Sequence, residues 1–223
     1  MFHVEHDSEL RRIIALYSGM FDVGLSNSQV DQFLAYLSEI IRWNKITNIT
    51  SITEPRLIVI KHFIDSIVAL GATKFSYGNL VCDIGSGAGL PGIPIKIVRP
   101  DLKVVLVETN KKKCSFLTSV IGQLRLESIS VFQGSIEQYA KKSPLAAVDI
   151  ALLRALRLDE VKRHLLRVLN SKGKIVLYRT PNSKRIEELT DFIIESEAAY
   201  SLPEQCGDRL LTVIKSTSSE SIS

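Results

Sequence analysis

Residues 79–92 read Asn-Leu-Val-Cys-Asp-Ile-Gly-Ser-Gly-Ala-Gly-Leu-Pro-Gly, an apolar run entering a turn that carries four glycines. Leu80, Val81 and Ile84 read as a buried strand, interrupted only by small Cys82 and by Asp83. Gly85, Gly87, Gly89 and Gly92 let the chain turn sharply and approach a ligand without Cβ atoms in the way. The apolar segment Ile93 to Val98 continues as a helix, so a ligand would meet free N–H groups at its start. Such a strand–turn–helix unit reads as a nucleotide-type cofactor site, and the question is which cofactor.

The sequence after residue 79 repeats the alternation. Strands are expected at 79–84, 103–108, 129–133, 148–153 and 173–179, with helices near 92–98, 111–123, 158–169 and 182–197. A parallel sheet wrapped by helices on both faces follows. Tyr200 to Leu202 and Leu210 to Lys215 then read as two strands joined by a Pro/Gly/Asp turn, which predicts a terminal antiparallel hairpin. The expected fold is α/β: a doubly wound, mostly parallel seven-stranded sheet of Rossmann-like type. Before it come three amphipathic helices. Leu10, Ile13, Ile14, Tyr17 and Phe21 share one face, and Val30, Phe33, Leu34, Leu37 and Ile41 share another. Ser26 and Gln29 form a capping-box pattern, and Pro55 suits the first turn of a third helix that buries Ile60, Phe63, Ile64, Ile67 and Val68. The expected division is an N-terminal helical subdomain over 1–76, a cofactor-binding domain over 77–216 and a frayed tail over 217–223.

Composition narrows the function class. The net charge is +4 over 223 residues, with residues 1–76 at −1 and residues 77–223 at +5. That bias permits a nucleic-acid partner without requiring one. Cys82, Cys114 and Cys206 are far apart with no C-x-x-C spacing, so buried reduced thiols are expected and neither a metal site nor a disulfide. The N-terminus is too polar for a signal peptide, and no apolar run approaches the roughly 18 residues of a membrane span. A cytoplasmic chain with no membrane partner is expected.

Gly87 to Gly92 also satisfies G-x-G-x-x-G, so a dinucleotide oxidoreductase using NAD(P) is a rival. Asp83 lies two residues before the first glycine, where a carboxylate would repel a pyrophosphate but could face an ammonium group. Glu108 ends the next strand, where it could accept hydrogen bonds from ribose hydroxyls, a feature both cofactors share. The terminal hairpin leaves no second domain large enough for an oxidisable substrate. S-adenosyl-L-methionine, with ribose, adenine and an amino-acid tail but no phosphates, fits best. A third contact is expected at Gly134-Ser135-Ile136-Glu137, with a backbone N–H and the Glu137 carboxylate reading adenine. The alternatives are a cap for Asp83, a solvated strand end for Glu108, and an ordinary helix cap by Ser135 with a first-turn acid.

Four ordered motifs carry a more specific resemblance: Trp43 to Thr50, His62 to Ser66, Asp83 to Pro94, and Leu153-Arg154-Ala155. Together they resemble the bacterial glucose-inhibited division protein B family over residues 30–215. That family comprises S-adenosylmethionine-dependent methyltransferases acting on N7 of a guanine in 16S rRNA of the small ribosomal subunit. The resemblance implies that Gly85 and Leu90 line the methionine end and that Ile136 and Glu137 flank adenine. It places Arg154 at the junction of cofactor and RNA, as catalytic residue and cofactor contact. With Asp83, Gly87, Gly89 and Glu108, these make up the expected site. The chain departs from the family where Lys61 stands for the usual Arg and where Arg179-Thr180 replaces Lys-Gly. Lys61 keeps the charge but not the planar fork.

Guanine N7 has an in-plane lone pair and no proton, so its methylation needs alignment rather than a general base. Asp83 or Asp149 could help as positive charge develops on the base. His62 reads as a packed structural histidine. RNA contacts are expected among Arg99, Lys111, Lys112, Lys113, Arg125, Arg154 and Arg157. Trp43 could stack on an unpaired base, but anchoring of the helices to the sheet is the preferred reading. A monomer is expected, and a non-catalytic ribosome-binding module is the remaining alternative.

Overall fold

The structure is a computed structural model that describes residues 2–143, 147–183 and 191–217. Helices α1 (Phe2–Gly19) and α2 (Asn27–Asn44) come first. The Ser26/Gln29 capping box opens α2 as expected, each side chain bonding the other residue's backbone N–H. A broken helical run follows: α3 (Pro55–Ile58), a six-residue π turn (Val59–Ile64), α4 (Asp65–Ile67) and α5 (Ala69–Ala72). Pro55 occupies its first turn, capped by the Glu54 carboxylate on the N–H groups of Arg56 and Leu57.

The alternating half runs β1 (Leu80–Ile84), α6 (Gly92–Val98), β2 (Lys103–Glu108), α7 (Lys111–Gln123), β3 (Ile129–Gln133), α8 (Ile136–Lys142), β4 (Val148–Arg154), α9 (Leu158–Val168) and β5 (Leu169–Arg179). It closes with β6 (Phe192–Ser201) and β7 (Asp208–Ser216). The seven strands lie in the order β3-β2-β1-β4-β5-β7-β6. β1 to β5 are parallel, and β7 runs antiparallel between β5 and β6. The chain leaves β1 towards β2 and β3, then returns to place β4 on the other side of β1. That reversal opens a crevice beyond the carboxyl ends of β1 and β4.

Two expectations are corrected. Helix was expected to 197, but Phe192–Ser201 is strand, so the hairpin begins well before Tyr200. Glu195, Glu197, Ala198 and Ala199 favour helix locally, yet the segment pairs with β7 along its length as a largely exposed edge. Residues 184–190 of that expected helix and 218–223 of the expected tail lie outside the described residues. The second correction is α8, a seven-residue helix between β3 and β4 that the spacing of strands did not include.

Side chains alternate between two cores. Val81, Leu106, Ile150, Leu152 and Val176 point to one face, where they join Ile14, Phe33, Tyr36, Phe63 and Ile67 in a continuous cluster. Cys82, Ile84, Val107, Ala151, Leu153 and Ile175 point to the other, packed with Tyr139, Val161 and Leu165 of α8 and α9. Phe33 and Phe63 are fully buried with ring centroids 5.3 Å apart, and each such side chain contributes roughly 1.5–3 kcal/mol by burial. The helices before residue 76 therefore cover one face of the sheet directly. Among the described residues, no helix is long and apolar enough to cross a membrane, and no cluster of His, Cys, Asp or Glu is arranged to hold a metal ion.

Candidate active site

The loop after β1 is held by the neighbouring strand. Gly85 and Ser86 both donate their N–H groups to the Val107 carbonyl, at 2.8 and 3.2 Å. Gly85, Gly87 and Gly89 all have positive φ, at 70°, 57° and 83°, as the sharp turn demands. Gly89 serves packing more than ligand approach, since a Cβ there would lie 2.4 Å from the Ile93 side chain. Leu90 is likewise buried in the core. Gly92 has the most specific role. Its N–H donates to Asp83 Oδ2 at 2.9 Å, and a Cβ at Gly92 would stand 2.8 Å from that same oxygen.

Asp83 is 1% exposed, and its second oxygen, Oδ1, is buried with no hydrogen-bond partner. Burial pushes its pKa up to about 7, and the Gly92 N–H, Ser86 and the Arg154 charge offset only part of that rise. A buried acceptor left open in this way is costly to the fold unless something fills it. Glu108, the last residue of β2, is also buried. Its Oε2 accepts the Gly87 N–H at 2.8 Å and its Oε1 accepts the Asn110 N–H at 2.7 Å. The Glu108 carboxylate thus joins the glycine loop to the start of α7, where Asn110 caps the N–H groups of Lys112 and Lys113.

Arg154 ends β4 and is held from the helical run. Its Nη2 lies 2.9 Å from Asp65 Oδ2 and donates to the Lys61 carbonyl at 2.5 Å, and its Nη1 reaches Ser66 Oγ at 3.4 Å. Strand register sets its relation to the carboxylates. Asp83 pairs with Leu152, two residues before Arg154, and parallel register puts Asp83, Leu152 and Arg154 on one face. Alternation along β2 puts Glu108 on that face too, with Leu106. Three groups singled out in the sequence therefore converge at the carboxyl ends of adjacent strands, under the N-terminal helices.

Other expected residues fall elsewhere. Ile136 is buried against Tyr139, and the Glu137 carboxylate pairs with Lys141 at 2.7 Å on the surface. The Ser135/Gln138 capping box opens α8, which was the ordinary alternative for that segment. The third loop still meets the site through backbone, because Gly134 N–H donates to the Glu108 carbonyl at 2.9 Å. Asp149 lies away from Asp83, Glu108 and Arg154. It sits near the start of β4, accepting the Leu80 N–H and an Asn170 amide proton at 2.7 Å each, at the amino-terminal ends of the strands, opposite the site. Arg99 and Arg125 follow the ends of α6 and α7 at that same amino-terminal side of the strands, with Arg99 bonded to Asp101 and the Phe75 carbonyl. Lys111, Lys112, Lys113 and Arg157 follow strand carboxyl ends and lie on the site side.

Trp43 packs edge-on against Phe116 of α7 with centroids 5.7 Å apart, the anchoring role preferred from sequence. His62 bonds Thr50 Oγ1 at 2.8 Å, and its pKa is pushed down to about 4 by burial and by Arg154. Asn44 bonds Ile49, Thr50 N–H and Thr50 C=O, fixing the loop after α2. Arg179, half-buried at the end of β5, bonds Thr212 and Glu197 of the hairpin. Two residues escaped the sequence reading. Tyr36 reaches the Ala88 carbonyl of the glycine loop, and Asp65 gathers Arg154, Arg209 and Tyr200. Asp65 stood inside a recognised motif, but nothing in its spacing named its partners.

The family described as rRNA small subunit methyltransferase G (GidB) matches residues 29–210. The chain belongs to that family. Ribosomal RNA small subunit methyltransferase G of Staphylococcus epidermidis is 34% identical over 200 residues, covering 86% of this chain and 84% of the relative. The protein of the same name from Lachnoclostridium phytofermentans is 33% identical over 86% of this chain and 83% of its own length. In fold, the chain resembles a variant of MtNAS crystallised with S-adenosylmethionine, with a TM-score of 0.60, 16% identity and coverage of 96% of this chain and 81% of that one. As a member of the GidB family, the chain is an rRNA methyltransferase that uses S-adenosyl-L-methionine. Membership sets aside both the oxidoreductase and the non-catalytic alternatives. The residues present suit the cofactor: an orphaned buried carboxylate oxygen at Asp83 matches an ammonium group, and the buried Glu108 acceptor stands beside the loop.

Proposed function

We propose that this chain methylates N7 of a guanine in 16S rRNA, with Asp83, Gly85, Gly87, Gly89, Leu90, Glu108, Ile136, Glu137 and Arg154 as its cofactor region and Arg154 as the residue at the RNA side. The observation that carries the reading is the convergence of Asp83, Glu108 and Arg154 on one face at the strand ends, with Asp83 Oδ1 buried and unpaired.

In this reading Asp83 holds the ammonium of the methionine moiety and Glu108 accepts from the ribose hydroxyls. Gly85 and Gly87 let the loop backbone lie against the methionine and ribose, with Gly89 and Leu90 fixing the loop from the core side. Ile136 and the backbone after Gly134 border adenine. Glu137 would have to leave Lys141 to contribute its carboxylate. When bound, the cofactor supplies a methyl group on a sulfonium sulfur, which keeps the electron pair of the broken C–S bond as guanine N7 forms the new C–N bond. The chain's own contribution is alignment and exclusion of water, an effect worth roughly 7–11 kcal/mol when reacting atoms are held in line. No proton leaves N7, so no base is required of His62 or Asp149. The half-buried Arg154 lies where it can orient a phosphate or base edge. Lys111, Lys112, Lys113 and Arg157 supply positive charge along the same rim. The helical region over 1–76 acts as a cover over the site, and the chain works as a monomer.

The test is transfer from methyl-labelled cofactor to small subunits lacking the modification, followed by mapping of the labelled base. Label at a guanine N7 in 16S rRNA is the expected result. Label on another atom, or on another RNA, overturns the assignment.

A further inference from the structure

Asp65 is 2% exposed and lies at the start of α4, directly after the π turn. Three groups surround its carboxylate. Arg154 Nη2 lies 2.9 Å from Oδ2, the Tyr200 hydroxyl donates to Oδ1 at 2.8 Å, and Arg209 Nε lies 3.6 Å from Oδ1. Tyr178 adds a further tie between the strands and this run, donating its hydroxyl to the Ser66 carbonyl at 2.6 Å. One buried carboxylate therefore collects cations from β4 and from the terminal hairpin.

Arg154 makes this ion pair although a second buried carboxylate, Asp83, lies on its own face of the sheet. Arg154 shares a face with Asp83, two register positions away on the adjacent strand, which is within reach of an arginine side chain. Asp83 Oδ1 is buried and unpaired. A guanidinium in low dielectric beside such an oxygen would ordinarily pair with it. The Arg154 charge is already felt at Asp83. It is nevertheless turned towards Asp65, the Lys61 carbonyl and Ser66.

We propose that Asp65 is a positioning residue that holds Arg154 off Asp83, keeping the Asp83 carboxylate free for the cofactor's ammonium group. The inference rests on the proposed ammonium role of Asp83. Without the Asp65 charge, Arg154 keeps only neutral partners, the Lys61 carbonyl and Ser66 Oγ, with the Arg209 cation nearby, and swings to Asp83. It then competes with the cofactor there.

The test is calorimetric binding of S-adenosylhomocysteine to wild type, Asp65→Asn, Arg154→Ala and the double variant. Asp65→Asn is expected to weaken binding by about tenfold or more. Adding Arg154→Ala is expected to restore affinity to within about threefold of Arg154→Ala alone, because the competing cation is gone. A purely structural Asp65 would leave the double variant at least as weak as Asp65→Asn, and that result overturns the proposal, as does wild-type affinity in Asp65→Asn. Should Asp65→Asn not yield folded protein, Tyr200→Phe loosens the same carboxylate without removing its charge. It is expected to weaken binding two- to threefold in the wild-type background and not at all beside Arg154→Ala; equal losses in both backgrounds overturn the proposal. Asp83→Asn serves as the separate control: unaltered affinity in that variant would instead overturn the ammonium role of Asp83.

Discussion

The Tyr36 hydroxyl, buried in the middle of α2, donates to the carbonyl of Ala88 in the glycine loop. Tyr36 also stacks on Phe63 of the π turn, with centroids 5.0 Å apart and planes 15° from parallel. A helix outside the alternating half thus sets the height of the loop that faces the cofactor. Gln29 of the same helix bonds the last two carbonyls of α6 and Gln32 bonds the Leu124 carbonyl just after α7, so the first turns of α2 are tied to the alternating half as well.

Tyr36→Phe keeps the ring stack and removes only the hydroxyl. The expected loss of stability is about 1–3 kcal/mol, from a buried carbonyl deprived of a donor. Urea denaturation of the two proteins reads it directly. An unchanged midpoint would show that the bond contributes nothing net.

Glu108 accepts N–H groups from Gly87 and Asn110, so its removal loosens the loop as well as any ribose contact. Glu108→Ala is expected to weaken S-adenosylhomocysteine binding by roughly 1.5–3 kcal/mol, the range for hydrogen bonds to a charged acceptor. Calorimetry that finds unaltered affinity removes Glu108 from the site.

Arg154→Ala should lower methylation of small subunits about 100-fold or more, as misplacement of the reacting base by an ångström or so does, while cofactor affinity falls much less. The measurement is single-turnover transfer beside cofactor titration. A wild-type rate would place Arg154 outside the junction of cofactor and RNA.

The buried Asp83 makes a signed prediction about pH. Its folded pKa is raised, from an ordinary 3.8 to about 7. Between those values the folded chain holds a proton that the unfolded chain has released, so this group's stabilising contribution is full below pH 4 and is lost as pH rises through 7. His62 acts in the opposite sense, because its folded pKa is lowered to about 4 and its contribution is lost as pH falls from 6.5 towards 4. Subtracting the pH–stability curve of Asp83→Asn from that of wild type isolates the carboxylate. A difference curve that is flat between pH 4 and 7 contradicts the raised value. Cofactor binding near pH 7 should release a proton as the ammonium draws Asp83 into its charged form, seen as a heat that depends on the buffer.

The parallel strands were legible because their apolar runs are short, regular and bounded by glycine, asparagine and charged turns. β1 to β4 fall within one or two residues of expectation. β6 was not legible, because an exposed edge strand carries little hydrophobic pattern and its backbone is satisfied by β7 rather than by its own side chains. The same contrast holds in the site. Asp83 and Glu108 are marked by their place at strand ends, whereas Asp65, Tyr36 and the placement of Asp149, Arg99 and Arg125 at the amino-terminal side of the sheet depend on contacts distant in sequence.

By itself the sequence determined the glycine loop, the alternation that builds the sheet and the residues at its strand ends, since each follows from local conformational preference and spacing. The tertiary structure decided what those residues touch: Arg154 on Asp65 rather than Asp83, Tyr36 on the loop, and Glu137 on Lys141 at the surface. The physical reason is that ion pairs and buried hydrogen bonds depend on distances of a few ångströms between segments far apart in the chain, and strand register and helix packing alone fix those distances.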